Sequence, residues 1–303
     1  MKPVLFWLVL ILSYSVYSQT EEIFDDISLG DSLEIVAKKL KPLAGTLYEK
    51  RVNQPNFPLA KQTEVHLICL DCKTTNGFIE EVAFTFADDK LCLIQAKGNA
   101  VKAITEQRKD TADVFMNYAA YWEDLIVTDQ IQDKVWIMSP EAAHPNLFAW
   151  DNPFLPAFGG VETSYNSSAA IPDFIEMGAD LEKMQPLLKE ASTFTYSRKL
   201  GPDDPNAQLQ IDCFGIEYAG FPRKFEARFG DGKLNMIWIL TGKGEEDRIR
   251  QKLIEAYGSP IYRNEAWEVF KEWEVFLRKD KPEVLLLTAE LGAFYKKDYF
   301  KQE

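Results

Sequence analysis

The sequence predicts an α+β fold that is built twice, as two tandem related two-layer domains with helices packed on one face of antiparallel sheets. The first observation is a repeat, because residues 27–34 return as residues 175–182 at an offset of 148 positions. The second is a longer repeat, in which residues 77–91 return as residues 220–234 at an offset of 143 positions. Since the two repeats keep their order at nearly one spacing, we infer that one unit has been used twice.

Each copy is predicted to begin with an amphipathic helix. Three apolar residues recur there at helical spacing and form one stripe. These residues are Leu33, Val36 and Leu40 in the first copy, and Leu181, Met184 and Leu188 in the second. Asp31 or Ser32 can cap the first helix, and Asp180 can cap the second.

A three-stranded antiparallel meander is predicted after each of these helices. Its central strand alternates apolar and polar residues, which is the period of a half-buried strand. The apolar series is Val82, Phe84 and Phe86 in the first copy, and Phe225, Ala227 and Phe229 in the second. Residues 87–89 and 230–232 have the composition of hairpin turns. Simple alternation past these turns predicts that Leu91, Leu93, Leu234 and Met236 share the helix-packed face.

The remainder of each copy is predicted to hold a second helix and further strands. The second helices are expected over residues 114–125, marked by Val114, Tyr118, Tyr121 and Leu125, and over residues 249–257. The expected strands are residues 135–139 and 147–150 in the first copy, and 266–270, 273–278 and 284–288 in the second. A last helix is expected over residues 291–300. Residues 152–172 are rich in Pro, Gly, Ser and Asn and predict a linker, so the two domains span residues 19–151 and 173–303.

The N-terminus is typical of a secretory signal peptide over residues 1–18. Lys2 precedes an apolar run over residues 4–12, and Val16 and Ser18 fit a cleavage site before Gln19. The run is shorter than the roughly 20 residues that span a bilayer, and no later segment predicts a transmembrane anchor. No cysteine sits at the cleavage site, so a lipoprotein is not expected. The sequence therefore predicts a periplasmic or secreted protein.

The charge balance narrows the choice of partner. The chain has a formal net charge of -13, and loss of residues 1–18 removes only Lys2 and moves it to -14. Such an acidic surface repels phosphate backbones, so no nucleic-acid partner is expected. The acidity favours solubility first, with docking of a basic partner as the alternative.

The Ile-x-Leu-Gly-x-x-Leu-Glu start at residues 27–34, the meander after it and their tandem use resemble a known group of proteins. These are the exported β-lactamase-inhibitor-like modules and the related small outer-membrane-assembly lipoproteins. The resemblance implies a non-catalytic role in which a sheet face binds a protein. The copies here are longer and carry an extra helix and further strands, so no partner and no contact residue is carried over.

His66, Cys69 and Cys72 form the sharpest local constellation in the sequence. The spacing is typical of a metal or thiol-redox motif, with Cys92 nearby in the meander. Strand alternation, however, predicts that His66 and Cys72 point to one face and Cys69 to the other. We therefore expect no metal site and no cofactor, and Cys69 and Cys213 are expected to be buried thiols. A local disulfide and a redox role for Cys69 and Cys72 stay open.

The outer sheet face is predicted to hold the functional surface. Ile94, Ile237 and Ile239 fall one step out of phase with the helix-packed residues, so alternation predicts that they face away from the helices. An apolar outer face is either a seam between the copies or a docking surface. The leading hypothesis is a non-catalytic interaction protein of the bacterial envelope whose partner is another envelope protein. The alternatives are a hydrolase with an Asp and Glu site at the domain junction, or the thiol-redox protein.

Overall fold

The computed structural model describes residues 23–201 and 204–302, and the predicted α+β fold in two tandem sheet domains is confirmed. Each domain contains one eight-stranded antiparallel sheet. The predicted signal peptide, residues 1–18, lies outside the described residues. In the part of the chain that the structure describes, no helix combines the length and the apolar character needed to cross a membrane.

The two sheets have the same topology. The first contains β1 (Thr46–Val52), β2 (Glu64–Thr74), β3 (Gly77–Ala87), β4 (Lys90–Lys97), β5 (Asp113–Phe115), β6 (Tyr118–Tyr121), β7 (Ile126–Asp129) and β8 (Lys134–Met138). The second contains β9 (Phe194–Lys199), β10 (Leu209–Tyr218), β11 (Phe221–Gly230), β12 (Lys233–Leu240), β13 (Tyr262–Arg263), β14 (Trp267–Phe270), β15 (Val275–Arg278) and β16 (Glu283–Leu287). The order is β1-β2-β3-β4-β8-β7-β6-β5 in the first sheet and β9-β10-β11-β12-β16-β15-β14-β13 in the second. The two sheets therefore correspond strand for strand.

Helices lie on both faces of each sheet, the longer ones on one face and the short ones on the other. They are α1 (Leu33–Leu40), α2 (Ala100–Thr105), α3 (Pro140–Ala143), α4 (Leu181–Glu190), α5 (Glu246–Tyr257) and α6 (Ala289–Phe294), with 3-10 turns at Leu147–Ala149, Pro156–Phe158 and Lys271–Trp273 and a π-helical turn at Tyr295–Tyr299. Helices α1 and α2 bury apolar residues on one face of the first sheet, and α4 and α5 do so on the second. We call this the inner face and the opposite one the outer face. The short helices α3 and α6 contribute to clusters on the outer side.

The register of the two meanders is the one that the repeat predicts. Ala87 pairs with Lys90 across the first hairpin, and Gly230 pairs with Lys233 across the second. Two turns in equivalent places, at Gly30 and Gly178, have φ angles of 93° and 81°. Glycine adopts these angles without the steric cost that a side chain brings. The duplication therefore extends to the turn that leads into the first helix of each domain.

The prediction that Ile94, Ile237 and Ile239 lie on the outer face is wrong. Each side chain has no exposed surface and packs in the inner core of its own domain. A β-bulge at Cys92, and its equivalent at Asn235, inserts one residue into β4 and β12 and reverses the phase of every residue that follows. For the same reason Leu93 and Met236 lie on the outer side, away from Leu91 and Leu234.

The predicted helix over residues 114–125 is also wrong, because this segment contributes to the edge strand β5 and to its neighbour β6. The second helix of the first domain is α2, which comes earlier in the chain. Tyr118 packs in the outer cluster beside Trp136 and Phe148, and this aromatic packing favours a strand over the helical spacing. The predicted strand at 147–150 is a 3-10 turn, whereas the three later strands of the second domain are confirmed as β14, β15 and β16.

The first part of the predicted linker packs on the first sheet. Phe154 and Leu155 are buried on its outer face, against Ile68 and Ala83. We call residues 152–158 the strap. Farther along, the backbone N–H groups of Ala219 and Gly220 donate to residues 168 and 166, so the same segment also meets the second domain.

An aromatic seam joins the two domains. Phe221 of the second domain packs against Phe57 and Trp150 of the first, with ring centroids 6.1 and 5.4 Å apart. Phe214 meets Phe148 in the same cluster. The backbone approaches closely beside these rings, where the N–H of Gly244 donates to the carbonyl of Pro58 at 3.0 Å. A Cβ atom at Gly244 would overlap the backbone of Leu59, so the contact requires glycine.

Candidate functional site

The four cysteines are buried free thiols, and all lie within the described residues. The predicted burial of Cys69 and Cys213 is confirmed. The prediction that Cys69 and Cys72 point to opposite faces is wrong, since both lie in the inner core. The cause is a second irregularity, in which Asp71 has a φ of 50° and the regular pairing of β2 with β3 is interrupted. His66 does lie on the opposite face from Cys69.

The environment of these thiols disfavours redox or nucleophilic chemistry. A hydrogen bond with Cys72, together with burial, raises the pKa of Cys69. Burial raises the pKa of Cys92 and that of Cys213 to about 12. A reactive cysteine needs a lowered pKa, because the thiolate is the nucleophile. Across the described residues, no group of three or more His, Cys, Asp or Glu side chains is arranged to hold a metal ion.

A buried polar network surrounds His66 beneath the strap. The Nε2 atom of His66 lies 3.0 Å from Glu64 Oε1, and its Nδ1 atom lies 3.0 Å from both Thr85 Oγ1 and Asn152 Nδ2. Glu64 also accepts the backbone N–H groups of Asn56 and Phe57. Burial alone would raise the pKa of Glu64, but the hydrogen bonds with His66 and these N–H groups lower it.

This network has the residue types of an acid-histidine-hydroxyl triad, but its position makes it structural. His66 and Thr85 have no exposed surface, and the ring of Phe154 lies 4.8 Å from the His66 ring. A substrate would have to displace the strap to reach the Thr85 hydroxyl. The hydrogen bonds from the Asn152 side chain instead attach the strap to the sheet, and every polar side chain of the network has a partner.

Three adjoining cavities lie along the domain junction, with volumes of about 500, 300 and 380 Å³. The first two share Pro140, Glu141 and Lys243, and the last two share His144 and Lys281. Together we call them the junction groove, and we call the last one the charged cavity. The charged cavity is lined by His144, Asn146, Lys224, Glu226, Arg228, Trp238, Leu240, Arg278, Lys281 and Glu283.

Both domains build the charged cavity. The outer face of β11 and β12 supplies its floor, since Lys224, Glu226 and Arg228 alternate with the inward residues of the same strand. The first domain supplies a wall through His144 and Asn146, which follow α3. The His144 ring nitrogen Nε2 lies 3.0 Å from the carbonyl oxygen of Pro282, and this contact connects the wall to the second domain.

Each carboxylate of the charged cavity bridges two cationic side chains. Glu226 accepts from Lys224 at 2.9 Å and from Arg228 at 3.1 Å. Glu283 lies 3.3 Å from Arg278 and 3.0 Å from Lys281. The lining therefore contains four cations and two carboxylates. Asp212 and Asp280, which also pair with Lys224 and Arg278, stand outside the lining.

The electrostatics of Glu226 favour binding over acid catalysis. Burial alone would raise the pKa of Glu226, but the charges and hydrogen bonds of Lys224 and Arg228 lower it. A carboxylate that is held ionised in this way is a poor general acid, because a proton donor at neutral pH needs a raised pKa.

Sequence reasoning missed the charged cavity, although one signal for it was present. The alternation in residues 224–228 already assigns Lys224, Glu226 and Arg228 to one face of a strand. Nothing in the sequence indicates that His144 and Asn146, about 80 positions earlier, close over that face. The wall depends on how the two domains pack.

Comparison of the chain with protein-family models, with curated proteins and with solved structures found no match. The resemblance to β-lactamase-inhibitor-like modules therefore stays a prediction. The function has to be argued from the geometry of the junction groove.

Proposed function

We propose that this is a non-catalytic binding protein, exported to the periplasm or secreted, that holds a segment of another envelope protein in the junction groove. The carrying observation is that Ala83 and Thr85, on the outer face of β3, are uncharged and buried, whereas their equivalents on β11, Glu226 and Arg228, are charged and line a cavity. The sequence predicted binding through a sheet face, and the proposal keeps that role. The proposed binding residues, however, are not Ile94, Ile237 and Ile239.

The equivalent cross-strand pairs support this proposal. Ile68 pairs with Ala83 in the first sheet, and both have no exposed surface. The corresponding pair in the second sheet is Asp212 with Glu226. Lys224, Glu226 and Arg228 alternate along β11, and on an open face water alone would hydrate their charges. Here the first domain walls them in, which favours a site over a merely solvated surface.

The shape of the groove favours a chain segment as the ligand. Its three cavities are consecutive and share lining residues, so an elongated ligand can occupy them together. The lining mixes apolar surface such as Leu240 with charged groups, as protein-binding surfaces do. The thiol-redox alternative lacks a thiol with a lowered pKa at the groove, where Cys92 is the lining cysteine.

Site-specific photo-crosslinking tests the proposal. A photoreactive amino acid at the exposed, groove-lining Lys243 should form a defined adduct with one protein in an envelope extract of the producing cells. The same group at Lys189, which is exposed on α4, serves as the matched control. Excess unmodified protein should suppress the Lys243 adduct. Adducts that form equally at both positions, or none at Lys243, would refute binding in the groove.

A further inference from the structure

We propose that the charged cavity is a carboxylate-binding subsite that takes an acidic side chain of the bound protein segment. This inference rests on the proposed function and names the chemistry that the groove selects. The whole chain is acidic, with a formal net charge of -13, yet the lining of this cavity has two more cations than carboxylates. Lys224 and Arg278 are also paired with Asp212 and Asp280 outside the lining, so the local charge is balanced on a chain that is acidic elsewhere. Arg228 and Lys281 are the lining cations whose remaining donors favour an anionic group at this place.

The cations can accept another carboxylate without giving up their present partners. Among the described residues, Arg228 donates through Nε to Gln210 at 2.8 Å and through Nη2 to Glu226 at 3.1 Å. A guanidinium has five N–H donors, so further donors are available for an incoming group. Lys281 has three donors, lies 3.0 Å from Glu283 and keeps 54% of its side chain exposed. Arg228 and Lys281 therefore form the expected contacts.

The linings of the other two cavities of the groove contain equal numbers of cations and carboxylates. A preference for a carboxylate is therefore expected only at the charged cavity. The first is lined by Lys90 and Lys243 against Asp88 and Glu141. The second is lined by Lys243 and Lys281 against Glu141 and Asp280. A mixed-polarity chain with an acidic residue at one end fits this distribution, whereas a basic segment would place like charges together in the charged cavity.

Peptide binding to the intact protein tests the subsite. The probes are hexaglutamate, hexaserine and hexalysine, and the signal is the fluorescence of the protein, in which Trp238 lines the cavity. We expect hexaglutamate to bind more tightly than hexaserine at low salt and to weaken as the Debye length falls from about 30 Å at 0.01 M to about 8 Å at 0.15 M salt. Because the chain is acidic overall, unspecific attraction would favour hexalysine instead.

Two variants locate the binding site. Lys281→Gln should weaken hexaglutamate binding roughly two- to fivefold, as expected for one exposed charge contact. Lys183→Gln is the matched control, because Lys183 is also 54% exposed and is also paired with a glutamate. Adding Arg228→Gln to Lys281→Gln should bring the loss to more than about tenfold. Circular dichroism verifies that each variant is folded.

The outcomes separate this inference from the proposed function. Groove-specific crosslinking at Lys243 together with equal binding of hexaglutamate and hexaserine would overturn the carboxylate subsite and leave the binding function intact. Hexaglutamate binding that Lys281→Gln and Lys183→Gln weaken equally would also overturn it. Absence of the Lys243 adduct would remove the binding function itself.

Discussion

The outer faces of the two sheets differ far more than the inner faces. His66 and Thr85 pair across β2 and β3 in the first domain, where the equivalent pair in the second is Gln210 and Arg228. The first pair is buried in the hydrogen-bonded network that holds the strap. The second pair is polar and joins a ladder of charges, with Arg228 reaching the cavity. The same scaffold position thus fixes a chain segment in one domain and lines a candidate site in the other.

The inner faces, by contrast, keep even their irregularities. The bulges at Cys92 and Asn235 recur at one position, and so do the interruptions at Asp71 and Gly215. In both domains the chain is crowded beside this interruption, but the glycine that relieves the crowding occupies a different position in each. A Cβ atom on Gly45 would lie 2.9 Å from the Cβ of Asp71, whereas one on Gly215 would overlap the hydroxyl of Thr193. Only one of the two neighbouring positions has to be glycine. It is Gly45, just before β1, in the first domain and Gly215, on β10, in the second.

This contrast indicates where the two copies are free to change. A packed core tolerates little change of volume or phase, so the inner face is held by packing. The outer face of the second domain is held by contacts that solvent can partly replace, and it is there that charge has accumulated. The proposed binding site lies on the face that diverged.

The largest expected effect comes from exchanging outer-face residues between the domains. Ile68→Asp places a carboxylate under the strap, where Ile68 has no exposed surface. A buried charge without a partner should lower the free energy of unfolding by about 4 kcal/mol or more, as measured by urea denaturation. The reciprocal Asp212→Ile should cost only about 1–2 kcal/mol, because Lys224 keeps Glu226 as a partner. Similar costs for both variants would break the comparison.

The second effect tests the phase reversal at the bulges. Ile237→Ala should destabilise the protein by about 2–5 kcal/mol, because it removes buried methyl groups from the inner core. Ile35→Ala is the control, since Ile35 is 45% exposed on α1 and its truncation should cost less than about 0.5 kcal/mol. Equal melting temperatures for the two variants would place Ile237 outside the core.

The third effect concerns acid sensitivity of the first domain. Since the pKa of Glu64 is lowered from 4.5 in the folded state, its stabilisation is complete above pH 4.5. It is lost as the pH falls from 4.5 through the lower folded-state value. Glu64→Gln should cost about 1–3 kcal/mol at pH 7 and should make stability fall less steeply below pH 4.5 than in the unmodified protein. Parallel pH profiles from thermal melts would contradict this role.

The smallest effect is expected in the charged cavity. Arg228→Gln removes a partly exposed ion pair with Glu226, and its cost in unfolding free energy should stay below about 1 kcal/mol. Urea denaturation measures this change beside that of Glu64→Gln. A loss as large as that of Glu64→Gln would show that the charged outer face of the second domain also stabilises the fold. It would contradict the idea that this face is free to change.

The duplication and the meanders could be predicted from the sequence because they depend on local rules. Helical spacing predicted the apolar stripes of α1 and α4, and turn composition set the hairpin at Ala87 and Lys90. The helix predicted over residues 114–125 failed because aromatic contacts with Trp136 and Phe148, distant along the chain, decide the conformation of Tyr118.

What the sequence by itself determined is the α+β class, the repeat and the charge-bearing strand over residues 224–228. The tertiary structure decided which face each residue joins after a bulge, since one inserted residue reverses all later side chains and leaves the composition unchanged. It also decided where the candidate site lies, because His144 lines one cavity with Lys281 and Arg228 only once the aromatic seam has brought the domains together. Periodicity is a property of neighbouring residues, whereas a cavity between domains depends on contacts between residues far apart in the chain.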